Sequence, residues 1–264
     1  MSQRQLILFF VLAYAIAWLF FGTLALSRNG LGWIPVNLSL PIMTVLGSFA
    51  PSVAALLTLR LTEHRWPAVP RRFTLKALLV TIILAPAWLM LVYALAPALI
   101  LTTGKWTALG WSILLSPSVY GLSTLIGGPL GEEPGWRGFA LPRLQEWLGP
   151  AGASLLLGIL WAGWHLPLFL VKSWSSTSFP NYLLMITGLS FSMTFLFNLS
   201  GGSIVAAIAV HAFFNTVSRW LGGLLGDAPL REGYSPELIL GLAGWAAALL
   251  LLAATRGQLA YRRR

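Results

Sequence analysis

Long apolar runs recur from one end of the chain to the other, separated by short polar or basic stretches. Eight can be drawn: Leu6–Leu26, Leu38–Leu61, Ala77–Leu101, Gly110–Leu130, Ala151–Val171, Asn181–Leu199, Gly202–Leu221 and Pro236–Thr255. Each is close to the roughly 20 residues a helix needs to cross the hydrocarbon of a bilayer. Backbone groups find no water in lipid, so runs of this length form helices. Barrel strands would be about half as long and would alternate. The pattern predicts an all-α, polytopic transmembrane bundle of about eight spans enclosing a hydrophilic cavity, with residues 1–264 as a single membrane domain.

Composition sharpens this picture. Of 264 residues, 57% are hydrophobic and 9% are charged, against about 25% charged in soluble domains. The first run follows Arg4 and exceeds the ~7–15 apolar residues of a signal peptide, so it reads as a retained span. There is no cysteine, which removes disulfides and thiolate chemistry. The net charge of +10 lies in loops and in the tail Tyr261-Arg262-Arg263-Arg264, where it suits anionic lipid headgroups rather than nucleic acid. With eight spans and both termini cytoplasmic, 12 of the 17 lysines and arginines fall on the cytoplasmic side, as the positive-inside rule asks.

Against this background a few polar residues are conspicuous. Glu132, Glu133 and Arg137 close the fourth run in the string GGPLGEEPGWRGFALPRL. An ionised side chain at mid-membrane costs at least about 2.5–3.5 kcal/mol, so this group must face protein, a water-filled cavity or the interface. Alone, the string fits a helix cap as well as a site. His165 lies in the fifth run and His211 in the seventh, and a histidine inside a span marks a functional position or an interhelical hydrogen bond. Two such histidines, in a chain with three in all, favour a site; the third, His64, sits in a basic loop and is solvated. His211 and Asn215 are four apart and share a helix face, as do Trp161 and His165. Glu133 and Arg137 have the same spacing, but Pro134 steers Glu133 away from helical angles, so a break between Glu133 and Pro134 is expected. The aromatic, basic segment 136–147 reads as an amphipathic element in the cytoplasmic interface, at the mouth of the site. These residues alone reach a hydrolytic or proton-handling site.

Glu132-Glu133-x-x-x-Arg137, an aromatic-x-x-x-His ending at His165, and His211-x-x-x-Asn215 resemble the three motifs of the CAAX protease and bacteriocin-processing family (CPBP, or Abi), in the family's order. The resemblance covers about residues 110–221 and departs at Trp161, where the family usually has phenylalanine. It implies an intramembrane endopeptidase in a bacterial cell membrane, acting on a membrane-associated or lipid-modified peptide or protein. In that reading Glu132 activates water, His165 polarises it or holds a metal, and His211 and Asn215 stabilise the oxyanion. Glu132, His165 and His211 would also make a three-ligand zinc set, although no His-Glu-x-x-His signature is present. The competing readings are a proton-coupled transporter and a non-catalytic scaffold or immunity protein with the same fold.

Overall fold

A computed structural model describes residues 3–64, 74–84, 87–88, 91, 124–174, 177–226 and 235–262. Among these residues the chain is all-helical, as the apolar pattern predicts. Helix α1 spans Gln3–Leu26, α2 Leu40–Ser48 and α3 Ala50–Glu63. Helix α4, Leu75–Leu79, continues into a π turn at Val80–Leu84. Helix α5, Pro129–Gly135, runs through a second π turn, Trp136–Ala140, into α6, Leu141–Trp164, which ends in a 3-10 turn at Leu166–Leu170. Helices α7 (Phe179–Leu199), α8 (Ile204–Gly226) and α9 (Pro236–Ala254) complete the bundle. Five stretches are long and apolar enough to cross a membrane: 3–26, 40–63, 124–170, 179–199 and 237–254. The expected eight are not reached among the described residues: most of Ala77–Leu101 and Gly110–Leu130 lies outside them, and Gly202–Leu221 is represented by the shorter apolar stretch Ile204–Thr216.

Proline acts here more as a helix starter than as a kink. Pro41, Pro51, Pro129, Pro142, Pro180 and Pro236 all stand in the first turn of a helix, where a missing N–H costs nothing. Pro51, together with Phe49, the C-cap of α2, stands at the joint between α2 and α3. The sharpest turn comes from glycine. Gly149 has φ +68° and ψ 170°, a region only glycine occupies comfortably, and it splits α6 into 141–148 and a returning limb that starts at Pro150. The two limbs run side by side, so Trp161 on the return meets Glu132 on the descent.

Lipid has no hydrophobic drive to push helices together, so close packing and small residues do that work. Gly188 on α7 lies against the backbone of Gly244 and Trp245 on α9, where a Cβ would come within 2.9 Å of main-chain atoms. Gly158 packs likewise against Thr187. Ala13, Ala17, Ala54 and Ala162 are fully buried, while Ile7, Leu19, Leu249 and Leu250 point outward, as a lipid-facing surface requires. Trp164 Nε1 donates to Ala13 O at 3.1 Å and Trp18 Nε1 to Trp164 O at 3.0 Å, tying α1 to the returning limb of α6.

The helix through Pro134 overturns the expected break. Residues Pro129–Gly135 are helical, and a π turn follows directly, with Trp136 N–H shared between Glu132 O and Glu133 O. Tertiary packing outweighs the local preference. Gly131 sits 2.7 Å (as a built Cβ) from Ser48 O, Gly135 abuts Pro51, and Ser52 Oγ donates to Gly131 O at 2.5 Å. The interfacial reading of 136–147 is also corrected: Trp136, Arg137, Phe139, Ala140, Leu141 and Leu144 are buried, with Trp136 edge-on to Phe9 and Trp164. Only the end of the segment reaches the surface, at Trp147. Gly149→Ala should lower the stability of the purified protein by on the order of 1–3 kcal/mol in detergent unfolding, because alanine disfavours that backbone region. Gly22→Ala, which meets nothing within 4 Å, should not lower it.

Candidate active site

The four motif residues that were expected to act on substrate share one cavity. Glu132 from α5, His165 at the end of α6, and His211 and Asn215 on α8 all line a space of about 340 Å³, walled by Phe21, Trp161, Trp164, Trp174 and Tyr182. It lies in the half of the bundle away from Gln3 and Arg262, which border a separate cleft at the other end. The carboxylates sit inside the bundle, 4% and 0% exposed for Glu132 and Glu133.

Each group is oriented by a hydrogen bond. Trp161 Nε1 donates to Glu132 Oε2 at 2.6 Å, which leaves Oε1 toward Gly128 and Asn215. A Cβ built on Gly128 would stand 3.1 Å from Glu132 Oε1 and 3.8 Å from Asn215 Nδ2, so glycine keeps that approach clear. His165 Nδ1 lies 2.9 Å from Trp161 O. A carbonyl only accepts, so Nδ1 carries the proton and Nε2 presents a lone pair. His211 Nδ1 lies 2.8 Å from Glu133 Oε1 and donates to it, which turns Nε2 away from Glu133.

Glu133 and Arg137 do not line the cavity. They stand behind it. Arg137 Nη1 donates to Glu133 Oε1 at 2.9 Å, so one carboxylate oxygen serves both Arg137 and His211. Both side chains of the ion pair are 0% exposed. Arg137 also places its guanidinium carbon 4.3 Å from the centre of the Trp161 ring, a cation–π contact. The spacing-based pairing of Glu133 with Arg137 thus holds in space, and the two reach the cavity residues through contacts with His211 and Trp161.

The expected zinc set fits less well. Among the described residues no three His, Asp or Glu side chains converge closely enough to hold a metal ion. No step below is routed through a metal.

Trp161 is the functional residue that sequence reasoning undervalued. Its motif position reads as generically aromatic, yet the indole N–H is the only donor in a ring of that kind, and it is spent on the candidate base. Tyr182, Trp174 and Glu237 also line the cavity from elements outside the motifs. A single aromatic residue in a membrane helix carries no signal that separates it from lipid-facing or core packing.

Removing one partner of a buried ion pair leaves an uncompensated charge. Arg137→Met should destabilise the protein by about 3–5 kcal/mol in detergent unfolding, with part of the loss recovered in Arg137→Met/Glu133→Leu. Trp161→Phe keeps the ring and removes the donor to Glu132, and should cost about 1–3 kcal/mol in the same measurement.

Comparison with known proteins converges on the same stretch. Residues 114–217, which include all six motif side chains, match the family model described as type II CAAX prenyl endopeptidase Rce1-like. A curated CAAX prenyl protease 2 from Methanococcus maripaludis is 35% identical over 92 residues, which make up 32% of this chain and 34% of that protein. The match spans about a third of the curated relative's length. Over residues 114–217 this chain is similar to the Rce1-like type II CAAX prenyl endopeptidases.

Proposed function

We propose that the protein is an intramembrane endopeptidase that hydrolyses a peptide bond of a membrane-associated or lipid-modified substrate with water activated by Glu132. The observation that carries this reading is the convergence of Glu132, His165, His211 and Asn215 on one cavity, with a carboxylate oxygen left unhindered beside Gly128. The similarity to a CAAX prenyl protease favours a peptide carrying a lipid near its C-terminus, and the aromatic walls suit an apolar chain.

The chemistry follows from the orientations. Water lies between Glu132 Oε1 and His165 Nε2, both acceptors, and gives a proton to Glu132 as its oxygen attacks the scissile carbonyl carbon. The carbonyl oxygen becomes an oxyanion. Asn215 Nδ2–H and, in its imidazolium form, His211 Nε2–H donate to it. Glu133 supports that imidazolium from behind through Nδ1–H, and Arg137 shares the remaining charge. Collapse breaks the C–N bond, and the proton held by Glu132 passes to the leaving amine. The water's oxygen ends in the new carboxylate.

Cleavage of membrane-anchored reporter peptides by the purified protein tests this. Glu132→Gln should abolish turnover while leaving the unfolding midpoint close to wild type. Asn215→Ala and His211→Ala should each lower kcat by about 10²–10³ with a smaller change in KM. Turnover by Glu132→Gln equal to wild type would reject the assigned base. Solute uptake by proteoliposomes without any cleavage would replace this reading with the carrier.

A further inference from the structure

Glu237 is a carboxylate in the cavity wall that the hydrolytic steps do not use. It stands in the first turn of α9, whose start is fixed by Ser235: Ser235 Oγ accepts from Leu238 N at 3.1 Å. The same hydroxyl accepts from Asn181 Nδ2 at 3.2 Å, which pins the start of α9 to the start of α7. The residue after Asn181 is Tyr182, and it lines the cavity together with Glu237. Tyr182 is packed edge-on against Trp174 at 5.5 Å between ring centres, and Trp174 is stacked on His165 at 5.8 Å. A short continuous wall therefore joins Glu237 to His165 through two aromatic rings.

The carboxylate is left incomplete. Glu237 Oε2 is buried and has no hydrogen-bond partner among the described residues. A favourable helix dipole accounts for an acidic residue in a first turn, and it asks only for proximity to the helix end. It does not account for an oxygen withdrawn from water with no donor, which costs free energy until a partner arrives. None of the other ionisable groups of the wall is bonded to that oxygen. Glu132 is bonded to Trp161, His165 to the Trp161 carbonyl and His211 to Glu133. No lysine or arginine is among the described residues of the wall, and Arg137 is held behind it by Glu133 and Trp161.

A carboxylate with one oxygen withdrawn from water, in a wall that also holds aromatic rings, is the chemistry that recognises an organic cation. We propose that Glu237, with Tyr182 and Trp174, forms a subsite for a lysine or arginine side chain of the substrate peptide, next to the scissile bond. At about 340 Å³ the cavity is at the small end for a ligand site, so subsite and base face adjoining stretches of one substrate. The subsite rests on the peptidase reading. It supplies a charge-selective element that the hydrolytic residues do not provide, and it gives a membrane-embedded enzyme a means of rejecting most of the hydrophobic segments around it.

The test uses the full-length protein in detergent and pairs of anchored peptides that differ only by lysine or norleucine at each position flanking the cleavage site. Wild type should prefer lysine at one position by about tenfold or more in kcat/KM, the ratio of a single desolvated charge pair. In Glu237→Gln that ratio should fall toward one, and in Glu237→Lys a glutamate peptide should overtake the lysine peptide. Binding is read separately on the Glu132→Gln protein, by tryptophan fluorescence, so that the subsite remains testable if no peptide is cleaved. There too the lysine peptide should bind more tightly, and adding Glu237→Gln should remove the difference. A wild type indifferent to lysine in both measurements, or a lysine preference that survives Glu237→Gln, overturns the subsite. Loss of cleavage with retained lysine-dependent binding instead overturns the peptidase reading.

Discussion

A carboxylate inside a lipid-spanning bundle must be matched by positive charge or by donors, and Glu133 is matched twice on one oxygen. Arg137 reaches it from the next helical turn and His211 from a helix 78 positions later in the chain. Much else follows from that shared atom. It fixes the His211 ring, and so decides which nitrogen can face a substrate. It anchors the guanidinium that lies on Trp161, and Trp161 in turn holds Glu132. Glycine and proline at the crossing of α5 with the α2–α3 joint bring the descending limb close enough for the whole chain of contacts to form. Deleting any one of these partners exposes a buried charge rather than merely loosening a helix.

The division of labour within the motifs was only partly legible beforehand. Spacing correctly paired Glu133 with Arg137 and put His211 and Asn215 on one face, because i to i+4 geometry is a property of any helix. It gave the wrong expectation at Pro134, where local backbone preference was weighed without the π turn and the close glycine contacts that offset it. It gave the wrong setting for 136–147 as well, since aromatic and basic residues read as interfacial when their burial partners, Phe9 and Trp164 among them, lie far away in sequence. Nothing in the local pattern around Tyr182 or Glu237 marks them out. They join the site only because α7 and α9 share a start, through one serine hydroxyl.

The fold itself was the easier inference. Apolar runs of spanning length dictate helices, and the described residues contain five stretches that meet the requirement. What hydropathy does not convey is direction. The runs Gly110–Leu130 and Ala151–Val171 leave residues 131–150 between them undirected, and within the helical stretch 124–170 it is Gly149 that turns the chain back into a hairpin.

That hairpin has a consequence for how the chain enters the bilayer during synthesis. Its descending limb carries Glu132, Glu133 and Arg137, while the indole that satisfies Glu132 is on the ascending limb, 29 positions later. The imidazole that satisfies Glu133 is on α8, later still. The descending limb is not at home in lipid alone, because each unmatched charge costs about 2.5–3.5 kcal/mol at the centre of a span. The limbs must therefore partition as a pair, and the pair must wait near the insertion machinery or in a protein-lined passage until α8 has been made. The residues suited to handling water in the finished molecule thus impose an order on its biogenesis, with the last motif to be translated releasing the first into the membrane.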